Sequence, residues 1–234
     1  MIRGPLYMPV AYSDIEDIAI AITRFGEFFH AAMAYRDSNN NLQLMDLSIA
    51  GMKNKPFPDK NNWAWAVPMI PPSLRRVAAT VCERVAESRP KLYYGFKYLP
   101  AEFIASDGSL PLHPDTTGFT CATFVLSLLK NAQIDILKHD TWQPRDGDAE
   151  WQTQVYSMLV DQQKRHKIPQ SVMDANHSDM PCLRYRPEDV VAGCLSPSPP
   201  IDFAYATQHA PDVCLSVLSF LEVASRRPSP NDPA

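Results

Sequence analysis

The chain has 234 residues, of which 45% are hydrophobic and 21% are charged, and these are ordinary values for a folded globular protein. They exclude a wholly disordered, collagen-like or coiled-coil chain. The formal net charge is -4 at pH 7, so the composition offers no support for a nucleic-acid partner or an anionic membrane surface. Prolines number 22 against 8 glycines, which indicates loops stiffened by proline.

The cysteines and the first residues bear on where the protein works. Five cysteines occur without any CxxC pair, so we expect no disulfide framework and a reducing compartment. The N-terminal sequence MIRGPLYMPVAYSDIED lacks the apolar core of a secretory signal, and no apolar run reaches the roughly 20 residues of a membrane helix. We therefore expect a cytoplasmic protein without a membrane span. Export without a cleaved signal, as an effector delivered into another cell, is the alternative.

The first third of the chain predicts an antiparallel sheet. Residues 18–23 (IAIAIT) fit a strand or a helix by pattern alone. Two apolar runs, 27–37 and 39–49, are joined by the turn sequence DSNNN at 37–41. Two such runs around a polar turn are the signal of a β-hairpin. Another short strand is expected within 63–68 (WAWAVP).

The remainder predicts mainly helices from apolar residues at helical spacing. The first helix has Ser73 as its N-cap and stops at Pro90. The second covers 118–130 (GFTCATFVLSLLK), with Thr117 or Thr120 as its cap. The later helices are expected at 148–167, 187–192 and 211–224, and a proline opens each of the last two.

These elements predict an α+β fold with a small antiparallel sheet packed on helices. Residues 196–200 (SPSPP) predict a rigid connector. We therefore divide the chain into a main domain at 1–195 and a connector with an appended helix at 196–225. The polar, proline-rich residues 226–234 predict a disordered tail.

Cys121 is the residue whose predicted position best suits chemistry. It falls in or near the first turn of the helix at 118–130, where the helix dipole and free N–H groups favour a thiolate. The same N–H groups can donate to an oxyanion that forms beside the sulfur. The alternative is a small, buried helix residue without reactivity.

A nucleophilic cysteine needs a base, and His30 is the candidate, because a strand holds an imidazole rigidly. Asp46 lies on the partner strand of the hairpin, where a turn near 38–41 sets residues 30 and 46 opposite or diagonal to one another. A carboxylate within an apolar strand is costly unless paired, which favours contact between Asp46 and His30. The alternatives are a solvent-facing histidine and an edge-strand aspartate.

These pieces, in this order, resemble the circularly permuted branch of the papain-like thiol hydrolases. That branch includes the lecithin–retinol acyltransferase-like enzymes and bacterial relatives of cell-wall peptidases. His30 precedes Cys121 here, whereas the cysteine helix comes first in ordinary papain-like enzymes. Residues 119–125 (FTCATFV) are similar to the branch's cysteine motif, and 91–96 (KLYYGF) to its upstream tyrosine segment. The resemblance covers about residues 10–135.

Two positions depart from the pattern of the branch. Phe29 stands where a small residue often precedes the histidine, and Asp46 replaces the more usual third residue. The region 136–234 has no clear counterpart, so substrate specificity is expected to lie there.

The resemblance implies a papain-like fold in permuted order and a cysteine hydrolase of the peptidase, amidase or isopeptidase type. His30 would deprotonate Cys121, and Asp46 would orient the imidazole. The oxyanion would be held by the Cys121 N–H and a second donor, for which the candidates are Tyr93, Tyr94 and Tyr98. We expect no metal or organic cofactor. The expected partner is a peptide, amide or acyl substrate, proteins included, and the oligomeric state is left open.

Rival interpretations remain open from the sequence. In unpermuted order Cys121 would pair with His139, His166 or His177, and His177 is the best placed of these because it lies in a predicted loop. A metal site could also be assembled from histidines and cysteines, but their spacing matches no zinc motif. The candidate ligands would be His177, Cys182, Cys194, His209 and Cys214. An acyltransferase would share the chemistry. A non-catalytic binding or regulatory module would keep the fold, with His30 and Asp46 satisfying each other.

Overall fold

The computed structural model describes residues 15–58, 62–98 and 118–225. These residues form an α+β fold with a five-stranded antiparallel sheet in the order β4-β3-β2-β1-β5. The strands are β1 (Ile18–Phe25), β2 (Phe28–Arg36), β3 (Leu42–Ser48), β4 (Gly51–Pro56) and β5 (Ala64–Ala66). The α-helices are α1 (Pro72–Ser88), α2 (Cys121–Asn131), α3 (Asp148–His166), α4 (Gln170–Asp179), α5 (Pro187–Cys194) and α6 (Phe203–Ser225).

The predicted hairpin forms the centre of the sheet. β2 pairs with β3 in a register that sets Ala32 opposite Asp46. The carboxylate of Asp37 closes the turn by accepting the backbone N–H groups of Asn39 and Asn41. This Asx-type bonding is the reason that the polar cluster makes a turn, and the prediction of the hairpin is confirmed.

Both faces of the sheet are covered, and side chains alternate between them. Ile20 and Met33 belong to the larger core on the face that receives α1, α2 and α5. Ala21 and Trp65 belong to the core on the opposite face, where Trp65 meets Phe220 of α6 edge-on at 5.6 Å. Since both faces of β1 are buried, its continuous apolar sequence is a strand rather than a helix.

The first helix begins differently from the prediction. Pro71 is its N-cap and Pro72 its first residue, so the prediction of Ser73 as N-cap is wrong. Proline is favoured at this place because its missing N–H would have no helical partner there. The helix ends at Ser88, since Arg89 adopts a left-handed conformation with φ of 47°.

The last helix is longer than its sequence indicates. α6 runs through Pro211, so the prediction that this proline opens the helix is wrong. A proline inside a helix costs about 3 kcal/mol. Burial of Ala206, Val213 and Val217 offsets that cost, because α6 packs against α5, β1 and β5.

Two short elements have no clear sequence signal. β4 is mostly exposed, so it shows no apolar alternation. α4 is short and carries only two buried residues, Met173 and Asn176. His177 lies on this helix, so its predicted place in a loop is wrong.

The tail at 226–234 and Thr117 lie outside the described residues, and the division at residue 196 stays a prediction.

None of the described helices combines the length and the apolar character needed to cross a bilayer.

Candidate active site

Cys121 is the first residue of α2. Thr120 is the N-cap and forms a reciprocal capping box with Thr123, in which each backbone N–H donates to the other hydroxyl at 2.8 and 3.2 Å. The predicted cap at Thr120 is therefore confirmed. The box fixes the helix start, so the Cys121 thiol lies at the positive end of the helix dipole.

His30 lies near the start of β2, at a place where the sheet is incomplete. It pairs with Thr23 of β1, whereas the ladder between β2 and β3 starts only at Ala32. The start of α2 lies at this place. The backbone N–H groups of Ala31 and Ala122 both donate to the sulfur of Cys121.

The Cys121 thiol and the His30 imidazole are hydrogen-bonding neighbours. Burial disfavours the charged form of each group, so it raises the pKa of the thiol and lowers that of the imidazole. Their mutual charge interaction and hydrogen bond act in the opposite direction. The balance leaves the pKa of Cys121 below its ordinary value and the pKa of His30 above its own. The pair therefore favours a thiolate facing an imidazolium.

The other four cysteines show what burial does without such a partner. Burial raises the pKa of Cys182 to about 11 and that of Cys214 to about 12. It raises the pKa values of Cys82 and Cys194 still further. All five thiols are free, and of the five Cys121 has the lowered pKa because it faces an imidazole.

Asp46 lies diagonal to His30 across the hairpin and is only 7% exposed. Its charge raises the pKa of His30, and the charge of Lys55 lowers it. The Lys55 Nζ lies 4.0 Å from the Asp46 Oδ2. Lys55 was missed by the sequence analysis because β4, which carries it, was not predicted.

Trp63 is the aromatic neighbour of the imidazole. Its ring centroid lies 5.8 Å from that of His30, with the planes tilted by 56°. Trp63 is itself 8% exposed, so it supports one side of the imidazole with a rigid apolar surface. The sequence predicted a short strand within 63–68, but no local pattern indicated that Trp63 would meet His30.

Tyr94 is the candidate tyrosine that the structure brings to Cys121. Burial and the charge of Cys121 both raise the pKa of Tyr94 well above its ordinary value, so its hydroxyl stays protonated and able to donate. A parallel bridge to Phe119 holds its backbone. The side-chain amide of Asn176 donates to the Tyr94 carbonyl at 3.0 Å and accepts the N–H of Phe96 at 3.1 Å.

The other two tyrosines have different neighbours. Tyr93 lies under Lys91, whose Nζ is 5.3 Å from the centre of its ring. Tyr98 packs against His139 and Tyr185 at centroid distances of 5.0 and 5.1 Å and neighbours Ser127 of α2. Ser127 lies about 9 Å along the helix axis from Cys121, at 1.5 Å per residue.

The rival histidines are occupied elsewhere. His177 packs against Tyr156 at 5.5 Å, His139 belongs to the Tyr98 cluster, and His166 ends α3.

Within 15–58, 62–98 and 118–225, no three histidine, cysteine or acidic side chains converge as a metal site would require.

A cavity of about 360 Å³ is lined by residues at the start of β2, at the start of α3 and around the start of α5. Phe29, the residue before His30, lines one side. Trp151 and Arg184 line another, with the guanidinium 3.8 Å from the centre of the tryptophan ring. Arg184 also interacts electrostatically with Tyr94, which connects this wall to the surroundings of the thiol.

Comparisons of the chain with protein-family models, with curated proteins and with solved structures found no match. The described residues define an α+β protein with a cysteine–histidine pair at the start of a helix. Function is therefore inferred from the geometry and electrostatics of that pair.

Proposed function

We propose that this protein is a cysteine hydrolase that attacks amide or ester carbonyls with Cys121 and uses His30 as its acid and base. One observation carries the proposal: the thiol of Cys121 at a helix start is hydrogen-bonded to the imidazole of His30 on a strand. The imidazole lowers the pKa of the thiol and the thiol raises the pKa of the imidazole, so both shifts favour the ion pair. A helix N-terminus and a neighbouring imidazole each favour the thiolate form of a reactive cysteine.

The same arrangement supports a papain-like fold in permuted order as part of the proposal. The histidine strand β2 precedes the cysteine helix α2 in the chain, and α2 packs directly against β2 and β3. A helix that carries the nucleophile and packs on a sheet that carries the base is one arrangement that brings the two groups of this chemistry together.

In the first half of the reaction the Cys121 thiolate attacks the carbonyl carbon, a C–S bond forms, and the carbonyl electrons move to oxygen. The backbone N–H of Cys121 has no helical partner, because Cys121 is the first helix residue. This N–H and the neutral Tyr94 hydroxyl are the proposed donors to the oxyanion. The His30 imidazolium then protonates the leaving amine or alkoxide, and the C–N or C–O bond breaks to leave a thioester.

In the second half neutral His30 accepts a proton from water as the oxygen attacks the thioester carbonyl. The C–S bond breaks, the acid product leaves, and the thiolate–imidazolium pair is restored. Asp46 supports the positive charge of His30 throughout this cycle, because its carboxylate raises the pKa of the imidazole.

The first test is alkylation by iodoacetamide across about pH 5 to 9, with every cysteine followed by peptide mass spectrometry. At pH 6 we expect Cys121 to react far faster than the other four thiols, because it alone has a lowered pKa. His30→Ala should remove the advantage, and the control His177→Ala should keep it. A Cys121 that reacts like the other thiols would refute the proposal and favour a non-catalytic module.

A second test detects the acyl-enzyme itself. With p-nitrophenyl acetate, the Cys121 thiolate should displace p-nitrophenolate and carry an acetyl group that mass spectrometry can locate. A burst followed by slower turnover is expected, since deacylation needs water activation by His30. Absence of acetylation at Cys121 in the folded protein would exclude acyl chemistry at this site.

A further inference from the structure

The segment 93–96 is bonded along one edge to the residues that lead into α2. The N–H of Phe119 donates to the Tyr93 carbonyl, and the N–H of Gly95 donates to the Phe119 carbonyl, both at 3.1 Å. Phe119 lies two residues before Cys121, so these bonds fix the segment relative to the thiol. The backbone groups of the alternate residues face the opposite edge, where they need partners of their own.

Asn176 of α4 supplies those partners. It is fully buried, and its side-chain Nδ2 donates to the Tyr94 carbonyl at 3.0 Å while its Oδ1 accepts the N–H of Phe96 at 3.1 Å. Nδ2 also donates to the carbonyl of Val172, one turn earlier in α4, at 3.0 Å. The amide therefore uses both of its donors and its acceptor, and it bonds the segment as a neighbouring strand would.

α4 buries two side chains, Met173 and Asn176. Met173 belongs to the small apolar core that also contains Tyr94, Phe96 and Leu159 of α3. Both buried residues of α4 thus lie in the surroundings of the segment 93–96. The contribution of this helix to the fold is concentrated on the backbone that carries Tyr94.

We propose that Asn176 is a positioning residue, which holds the backbone of Tyr94 so that the hydroxyl stays where the oxyanion develops beside Cys121. An oxyanion donor must lie within about 2.7–3.1 Å of the oxyanion, and a misplacement of about 1 Å can cost on the order of a hundredfold in rate. The inference rests on the proposed function, because it takes the Tyr94 hydroxyl as a donor in that reaction.

Two reactions of the same thiol test this role. Acetylation of Cys121 by p-nitrophenyl acetate develops an oxyanion, whereas alkylation by iodoacetamide does not, so the ratio of the two rates reports on the donor separately from the thiol. Asn176→Ala should lower this ratio about tenfold. The loss should be smaller than that of Tyr94→Phe, because the hydroxyl is still present and is only held less well.

Gln152 of α3 provides the matched control. Its buried side-chain amide makes the same kind of paired bonds, accepting the N–H of Cys182 at 3.1 Å and donating to the Cys182 carbonyl at 2.7 Å. Gln152→Ala should therefore lower the free energy of unfolding in urea about as much as Asn176→Ala does, and it should leave the rate ratio unchanged. An equal fall of the ratio in both variants would overturn the positioning role.

The double variant Tyr94→Phe/Asn176→Ala separates positioning from a general loosening of the site. If Asn176 acts through the Tyr94 hydroxyl, its substitution has nothing left to displace, so the double variant should have the same ratio as Tyr94→Phe alone. A ratio lowered by the product of the two single effects would show that Asn176 acts by another route.

The same rates distinguish failure of this inference from failure of the proposed function. If Cys121 of the natural protein is not acetylated, the proposed function fails and the positioning role with it. If Tyr94→Phe lowers the ratio and Asn176→Ala does not, the positioning role alone fails.

Amide exchange in the natural protein, followed by NMR, tests the bond without any variant. The Phe96 N–H should exchange slowly, as the Gly95 N–H does, because a buried acceptor holds each of them. Exchange of Phe96 at the rate of an unbonded amide would overturn the inference even if Asn176→Ala does not fold.

Discussion

Gly95 and Gly118 lie so close that a Cβ added to Gly95 would come within 2.8 Å of the Gly118 backbone. Gly118 has a φ of 150°, a conformation that is open to glycine and strained for other residues. This approach allows the segment around Gly95 to exchange two backbone hydrogen bonds of 3.1 Å with Phe119. Tyr94 is therefore held beside Cys121 by a contact that only glycine permits.

Gly118→Ala should destabilise the protein by about 3 kcal/mol, because the new methyl group would overlap backbone atoms that cannot move aside. The measurement is the free energy of unfolding in urea. Gly26→Ala is the matched control, since Gly26 also has a positive φ but no atom within 4 Å of an added Cβ. The control should lose only about 1 kcal/mol from the backbone conformation. Equal losses in the two variants would contradict the packing argument.

The ionisation of Cys121 should follow pH in a way that depends on His30. The pKa of the thiol is lowered from an ordinary value of 9.0, so the thiolate should persist as the pH falls below 9 and disappear only through the lowered pKa. His30→Gln removes the opposing charge and leaves burial, which raises a thiol pKa. Its thiolate should therefore form only at higher pH, as followed by ultraviolet absorbance against a Cys121→Ser blank. Unchanged titration in His30→Gln would show that the imidazole does not ionise the thiol.

Asp46 and Lys55 should move the same titration in opposite directions. Asp46 raises the pKa of His30 and Lys55 lowers it. Asp46→Asn should therefore weaken the imidazolium and move the Cys121 titration to higher pH, by less than His30→Gln does. Lys55→Met should strengthen the imidazolium and move the titration to lower pH. NMR titration of the His30 ring is the direct measurement, and shifts of the same sign in both variants would exclude the proposed positioning role of Asp46.

Tyr94→Phe should separate acyl transfer from simple alkylation. Loss of one oxyanion donor costs on the order of a hundredfold in rate, so acetylation of Cys121 by p-nitrophenyl acetate should fall by about that factor. Alkylation by iodoacetamide develops no oxyanion and should change little. Tyr98→Phe serves as the control, since Tyr98 packs on Tyr185 and His139 instead. Equal acetylation by the Tyr94 variant and the natural protein would remove Tyr94 from the mechanism.

Much of the local structure could be predicted from the sequence. The turn cluster after Asp37 indicated the hairpin, because short polar side chains close turns by bonding to nearby N–H groups. The apolar spacing after Thr120 indicated a helix with Cys121 in its first turn, and the structure confirms it. β4 and α4 were missed, since neither has the apolar periodicity from which elements are predicted.

The sequence by itself determined the hairpin, most of the helices, the helix-start cysteine and the candidates for its partners, because turn, cap and periodicity signals act over a few residues. The tertiary structure alone decided that His30 rather than His177 meets Cys121 and that Tyr94 rather than Tyr98 lies beside the thiol. These relations join residues far apart in the chain, and they depend on strand register and on close approaches such as that of Gly95 to Gly118, which no local pattern encodes.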